Sequence, residues 1–174
     1  MPLQFPALFA GQRLTAGLLQ DMIPQFVLTP ANTVRATQTT QAADPYLAFP
    51  VTAGGIYLIE FNVAYAGVSA AGISTTWIMP SGTSGTRSVQ GPGSTATSSN
   101  ANNVTMNMAS VVFSTLMSYG CTTNVSTAFQ NLSENAVFTA ASTGTVNFAW
   151  AQTTSSATGT VVAANSWGRM YQLQ

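Results

Sequence analysis

The stretch Gly54-Gly-Ile-Tyr-Leu-Ile-Glu-Phe-Asn-Val-Ala-Tyr-Ala-Gly67 decides the fold class. Within it Tyr57, Ile59, Phe61, Val63 and Tyr65 fall at every second position, while Glu60 and Asn62 occupy the alternate face. A period of two is the pattern of a strand with one buried side, and the flanking glycines supply its turns. Three further runs share it: Ile73, Thr75, Trp77 and Met79; Val146, Phe148 and Trp150; and Trp167, Arg169, Tyr171 and Leu173. Shorter candidates lie at 34–40, 46–51, 87–90, 104–113, 127–132, 136–140 and 160–164. Short strands of Val, Thr and aromatic residues, spaced about ten apart by Gly, Ser and Asn turns, predict an all-β sandwich or barrel. Residues 91–103 (GPGSTATSSNANN) hold no hydrophobic anchor and read as a long surface loop. No repeat of roughly 20–50 residues is present, which argues against a propeller or solenoid.

Composition narrows the function. The 174 residues include four Lys or Arg, four Asp or Glu and no His, for a formal net charge of zero. The bases are Arg13, Arg35, Arg87 and Arg169; the acids are Asp21, Asp44, Glu60 and Glu134. With no basic stripe, neither nucleic acid nor an anionic membrane is an expected partner. Without His, and with Cys121 alone, the usual zinc sets and the Ser-His and Cys-His nucleophile pairs are unavailable. Cys121 reads as a small packed hydrophobe. The start lacks the basic and apolar regions of a secretory signal, and the apolar stretches 56–67 and 104–116 are too short to span a bilayer. Three Asn-x-Ser/Thr triplets, at Asn103, Asn124 and Asn131, read as chance matches in a chain rich in these residues. Zero net charge invites association. An obligate oligomer is therefore expected, against the alternative of a neutral monomer solvated by Thr and Ser.

Residues 1–30 differ from the remainder. Pro2 and Pro6 among Leu3, Phe5, Leu8 and Phe9 predict an extended apolar arm. Leu14, Leu18, Leu19, Met22 and Ile23 then share one helical face, with Thr15 as a candidate N-cap and Pro24 as the stop. Two helical turns do not persist alone in water. The helix either packs on its own domain or docks, with the arm, on a partner. The second reading makes Phe5, Leu8, Phe9, Leu14, Leu18, Leu19 and Ile23 virion-anchoring candidates once a particle is implicated.

The C-terminal strands implicate one. Gly144-Thr-Val-Asn-Phe-Ala-Trp-Ala-Gln-Thr153, Ser155-Ser-Ala157 and Ala164-Asn-Ser-Trp-Gly-Arg-Met-Tyr171 follow one another. Their order resembles phage virion proteins, widespread in phages of actinobacteria. Those proteins carry a trimeric jelly roll similar to tumour-necrosis-factor and complement-head domains. Gly55-Ile-Tyr57, Trp77-Ile-Met-Pro80 and the leader Phe9-Ala-Gly-Gln-Arg-Leu-Thr-Ala16 fit the same pattern. Residues 91–103 match least, and Gly168 inside the last strand departs from it. The resemblance implies an anchoring segment over 1–30, a jelly-roll β-sandwich over 31–174, and a homotrimer. It further implies a station on the virion surface as a capsid decoration or head-fibre protein, with the major capsid protein as partner. The alternative is a minor tail or fibre-tip protein that binds host cell-surface glycan. Tyr57, Phe61, Trp150 and Tyr171 are the candidates for core or trimer interface.

Catalysis is not expected. A glycosidase pair needs two carboxylates about 5–10 Å apart across a sugar cleft. Glu60 lies mid-strand, whereas Ser133-Glu-Asn135 reads as a turn, and partnership with an arginine is the simpler role for each acid. The Gly-rich pieces 82–85 and 91–93 lack the Lys and helix of a phosphate loop. Aromatics at strand period are core or subunit interface more often than sugar platforms. No catalytic residue, metal site or cofactor is therefore assigned.

Overall fold

Alternation along the chain builds two facing sheets. The computed structural model describes residues 10–11, 13, 15, 23–94, 106–121 and 125–173, with the backbone alone at 125–127. Among these residues the strands are β1 (Gln25–Leu28), β2 (Thr33–Arg35), β3 (Ala42–Val51), β4 (Ile56–Gly67), β5 (Ile73–Ile78) and β6 (Thr86–Pro92). They continue with β7 (Met106–Val112), β8 (Met117–Tyr119), β9 (Val125–Thr139), β10 (Gly144–Ala151), β11 (Thr160–Val162) and β12 (Trp167–Gln172). The larger sheet runs β1-β12-β4-β9-β6-β7, with β11 beside β4 and β2 beside β11; the smaller runs β3-β10-β5-β8. Every pairing is antiparallel. From β3 to β10 the chain passes back and forth between the sheets, so that β3-β10-β5-β8 faces β4-β9-β6-β7. That order is consistent with a jelly roll, extended past β4 by β12 and β1.

The core lies between the sheets, and β4 supplies its spine. Tyr57, Ile59, Phe61, Val63 and Tyr65 are all buried, as their period requires. Phe61 reaches across to the smaller sheet, with ring centroids 5.7 Å from Phe49, 5.5 Å from Phe148 and 5.0 Å from Trp77. Trp77 in turn stacks on Phe113 at 5.8 Å. Removing one such ring from a close-packed interior costs about 3–5 kcal/mol, because the surroundings cannot collapse to fill the space.

Several expected details are corrected. The two strands expected at 127–132 and 136–140 are one continuous strand, β9, and Glu134 lies within it rather than in a turn. Ser133 and Asn135 face outward, which preserves the alternation, and Glu134 faces inward with Leu132, Ala136 and Phe138. In β12 the buried side is Gly168 and Met170, not the Trp167–Arg169–Tyr171 side. The reason is space: a Cβ on Gly168 would stand 2.8 Å from a Phe61 ring carbon and 3.0 Å from one of Phe49. The glycine lets β12 approach the core rather than loosening it.

The loop expected at 91–103 is partly strand, since Gly91 and Pro92 finish β6 and are buried. There a Cβ would come 2.7 Å from the Tyr119 ring. Residues 95–103 lie outside the described residues. β2 stops at Arg35, short of the expected 34–40, where Thr37 takes a positive φ of 56°. At the N-terminus Phe5, Leu8, Phe9, Leu14, Leu18 and Leu19 lie outside the described residues. Ile23 is described and 62% exposed. β1 pairs with β12, so the larger sheet includes residues N-terminal to the boundary expected at residue 30.

Candidate functional site

The groups able to carry chemistry in so weakly charged a chain are its carboxylates and arginines, and their surroundings decide the question. Arg87 projects inward from β6 and Glu134 from the adjacent β9. The two form an ion pair of 2.9 Å whose side chains are 0% exposed. Glu134 Oε2 accepts from Arg87 Nε and, at 2.7 Å, from Trp77 Nε1. Its Oε1 accepts from Thr75 Oγ1 at 2.5 Å and Tyr119 OH at 2.8 Å. Arg87 Nη1 donates to the carbonyls of Val112 and Phe113, and Nη2 to those of Thr75 and Thr115.

All five guanidinium N–H groups and both carboxylate oxygens are thus occupied. Burial, then the Glu134 charge it donates to, drives the Tyr119 hydroxyl well above the usual phenol range. The cluster ties β6 and β9 of one sheet to β5 and β8 of the other and to the turn at 113–115 between β7 and β8. It is a clamp between the two sheets, with both charged groups buried.

Glu60 points the other way. It stands opposite Arg169 across β4 and β12, on the outer face of the larger sheet. Arg169 Nη2 lies 2.7 Å from Glu60 Oε2, and the guanidinium is 5.9 Å from the ring centres of both Trp167 and Tyr171. Phe61 is the register partner of Glu134, whereas Glu60 is that of Asn135. The two glutamates therefore face opposite sides of one sheet and cannot flank a glycosidic bond. Each has an arginine partner, as the simpler role requires.

Asp44 is also committed. Its Oδ2 accepts from Trp150 Nε1 at 2.9 Å, and its Oδ1 from the backbone N–H groups of Tyr46 and Leu47 at 3.0 and 3.2 Å. Arg35 lies 4.2 Å over the Trp150 ring and donates to the Ala42, Ala43 and Trp150 carbonyls. Burial lowers its pKa and Asp44 opposes the shift.

Among the described residues no group of three His, Cys, Asp or Glu could hold a metal ion. No described helix is long and apolar enough to cross a membrane. Cys121 is buried, and burial pushes its thiol up to about 11. Open clefts occur among the described residues. One of about 370 Å³ is lined by Trp77, Pro80, Thr83, Gly85 and Phe113. The other, of about 360 Å³, lies on the outer face of β6, β7 and β9, between Gln90, Met108, Ser133 and Asn135. Neither contains a titratable side chain.

Of the four residues expected at the core or a trimer interface, Tyr57, Phe61 and Trp150 are buried inside the single chain. A neighbouring subunit can reach only Tyr171, half-buried on the outer face of β12. The arginine partner expected for Glu134 is Arg87, whereas Trp77 and Tyr119 beside it were not expected. The available signal was phase: Glu134 alternates with Leu132, Ala136 and Phe138, and Arg87 with Val89.

These features define an all-β sandwich of jelly-roll-type order whose described carboxylates are all in structural use. No protein-family model and no curated protein matches the chain. It is distantly similar to a solved chain of infectious bursal disease virus, Gx strain, at 10% identity and a TM-score of 0.22. A Gt-strain chain gives 8% and 0.20. Each comparison covers 86% of this chain, which spans 41% of the viral chain's length. The jelly-roll reading rests on this chain's own strand order, not on that overlap.

Proposed function

We propose that this chain is a non-enzymatic structural protein of a phage virion, a homotrimeric capsid decoration or head-fibre protein on the particle surface, held to the major capsid protein by residues 1–30. The observation that carries the non-enzymatic part is the disposition of Glu60 and Glu134, on opposite sides of one sheet and each bonded to its own arginine. The virion part is supported by the jelly-roll order and by the resemblance of residues 144–171 to phage virion proteins. The tail or fibre-tip alternative, with host glycan as ligand, is favoured by one feature: Trp167 and Tyr171 remain partly exposed beside Arg169.

The test is reattachment. Particles lacking the protein are mixed with the full chain or with a chain lacking residues 1–22, which removes nothing from β1. The full chain should co-sediment with particles and the truncated chain should stay in the supernatant while remaining folded. Equal binding by both would remove the anchor from the account. Binding by neither, with capture on host cell walls instead, would favour the tail reading.

A further inference from the structure

A strand at the edge of a sheet presents a row of unpaired backbone groups, and a long, uncharged edge takes on a further strand unless something blocks it. Several edges of this sandwich are blocked. β3 carries Pro45 and Pro50, β1 is four residues set between Pro24 and Pro30, and β2 and β8 are three residues each. β7 has no such guard. Among the described residues it closes the larger sheet with seven residues, Met106-Asn-Met-Ala-Ser-Val-Val112, free of proline and glycine. No charged residue occurs between Arg87 and Glu134. Met108, Ala109 and Ser110 are exposed in succession, so the middle of this strand is uncovered on both of its faces.

The phase of the free backbone groups follows from the register. Phe113 N–H donates to the Gly85 carbonyl, which places Val111, Ala109 and Asn107 in the hydrogen-bonded pairs with β6. Met106, Met108, Ser110 and Val112 therefore turn their N–H and C=O groups to the open side, where the Val112 carbonyl is already met by Thr115 N–H.

We infer that β7 pairs antiparallel with β7 of a second copy, about a twofold axis at Ala109. Ala109 is the midpoint of the strand, so this axis uses its whole length. Met108 of each copy exchanges both backbone bonds with Ser110 of the other, and Met106 stands opposite Val112. Ala109 meets its own copy in a pair without hydrogen bonds, where the Cα atoms approach to about 4.5 Å, and its side chain is short enough for that. A twofold contact sets each strand against itself, so like charges would meet across it. An edge without charge is what such pairing needs, and the exposed Met106, Met108 and Val112 gain cover from it. The contact is separate from the trimer proposed above, because a single chain carries the same edge. Between trimers it would join one to the next.

Light scattering on the full chain tests it, with Ala109→Lys at the axis and Thr145→Lys on the exposed outer side of the smaller sheet. Ala109→Lys should cut the wild-type mass to half or less with an unchanged far-UV spectrum, and Thr145→Lys should keep it. Should Ala109→Lys unfold, Met108→Lys makes the same test at a position 75% exposed. The axis itself is read by Ala109→Cys, since a disulfide spans the expected separation. After mild oxidation it should run as a pair of twice 18.1 kDa on a denaturing gel without reductant. Thr145→Cys, and the wild type with its buried Cys121, should run at 18.1 kDa. A mass unmoved by the lysine variants, or an Ala109→Cys chain that does not cross-link, overturns the pairing. Three chains left intact by the lysine variants overturn it while the trimer stands. Two chains split by Ala109→Lys support the pairing and remove the trimer.

Discussion

Replacing Glu134 by Gln keeps the shape of the clamp and removes its negative charge. Arg87 is then left as an unpaired cation with no route to water, since both side chains are 0% exposed. Breaking a buried pair by removing one partner costs about 3–5 kcal/mol. Against a total stability of about 5–15 kcal/mol for a domain, that is a large fraction. With a urea slope of about 2 kcal/mol/M, the unfolding midpoint should fall by roughly 2 M. The melting temperature should drop by about 10 °C or more at matched protein concentration. The double replacement Arg87→Met with Glu134→Leu removes both charges and should recover most of the loss, because apolar residues of similar volume often substitute for a buried pair at little cost. A double-mutant cycle by urea denaturation measures the coupling. If Glu134→Gln shifts the midpoint by less than about 0.5 M, or the double variant is no better than the single, the carboxylate is not serving as the clamp described.

Two other perturbations follow from the packing. Gly168→Val places side-chain atoms against the Phe61 and Phe49 rings and should destabilise by about 1–3 kcal/mol, whereas Tyr171→Phe on the outer side of β12 should leave subunit stability nearly unchanged. Thermal melts of both variants check the phase of that strand. Stability should also fall in alkali: the Cys121 thiol is pushed up to about 11 in the folded chain, so between its unfolded value near 9 and that point the unfolded state holds fewer protons. Tyr65 and Tyr119 are raised further by burial and act in the same direction above about pH 10. The contribution is fully present below pH 9 and is lost as pH rises; urea midpoints from pH 7 to 11 should decline, and a flat profile would place these groups in water.

Much of the architecture was legible because a strand buried on one side writes its phase into its own residues. β4 and β10 are such cases, with Tyr57 to Tyr65 and Val146 to Trp150 inward as expected. The reading failed where the deciding contact is remote. Glu134 looks like a turn residue beside Ser133 and Asn135 until Arg87, 47 positions earlier, is brought against it. β12 carries its aromatic residues outward because the site beneath Phe61 has room only for glycine. The apolar character of Trp167 and Tyr171 pointed to burial, and their half-exposed setting pairs them instead with Arg169. Neither glutamate pair is local, so no pattern of spacing could have assigned it. The residues proposed to anchor the first segment rest on their sequence pattern, and of them Ile23 is among the described residues.

The most direct test of the central claim is absolute quantification of this chain, by mass spectrometry against the major capsid protein, in purified and salt-washed phage particles. Many copies per particle are expected, in a number divisible by three, surviving raised salt because the proposed anchoring contacts are apolar. A chain absent from the particles, or present in only a handful of copies at the tail, would contradict it.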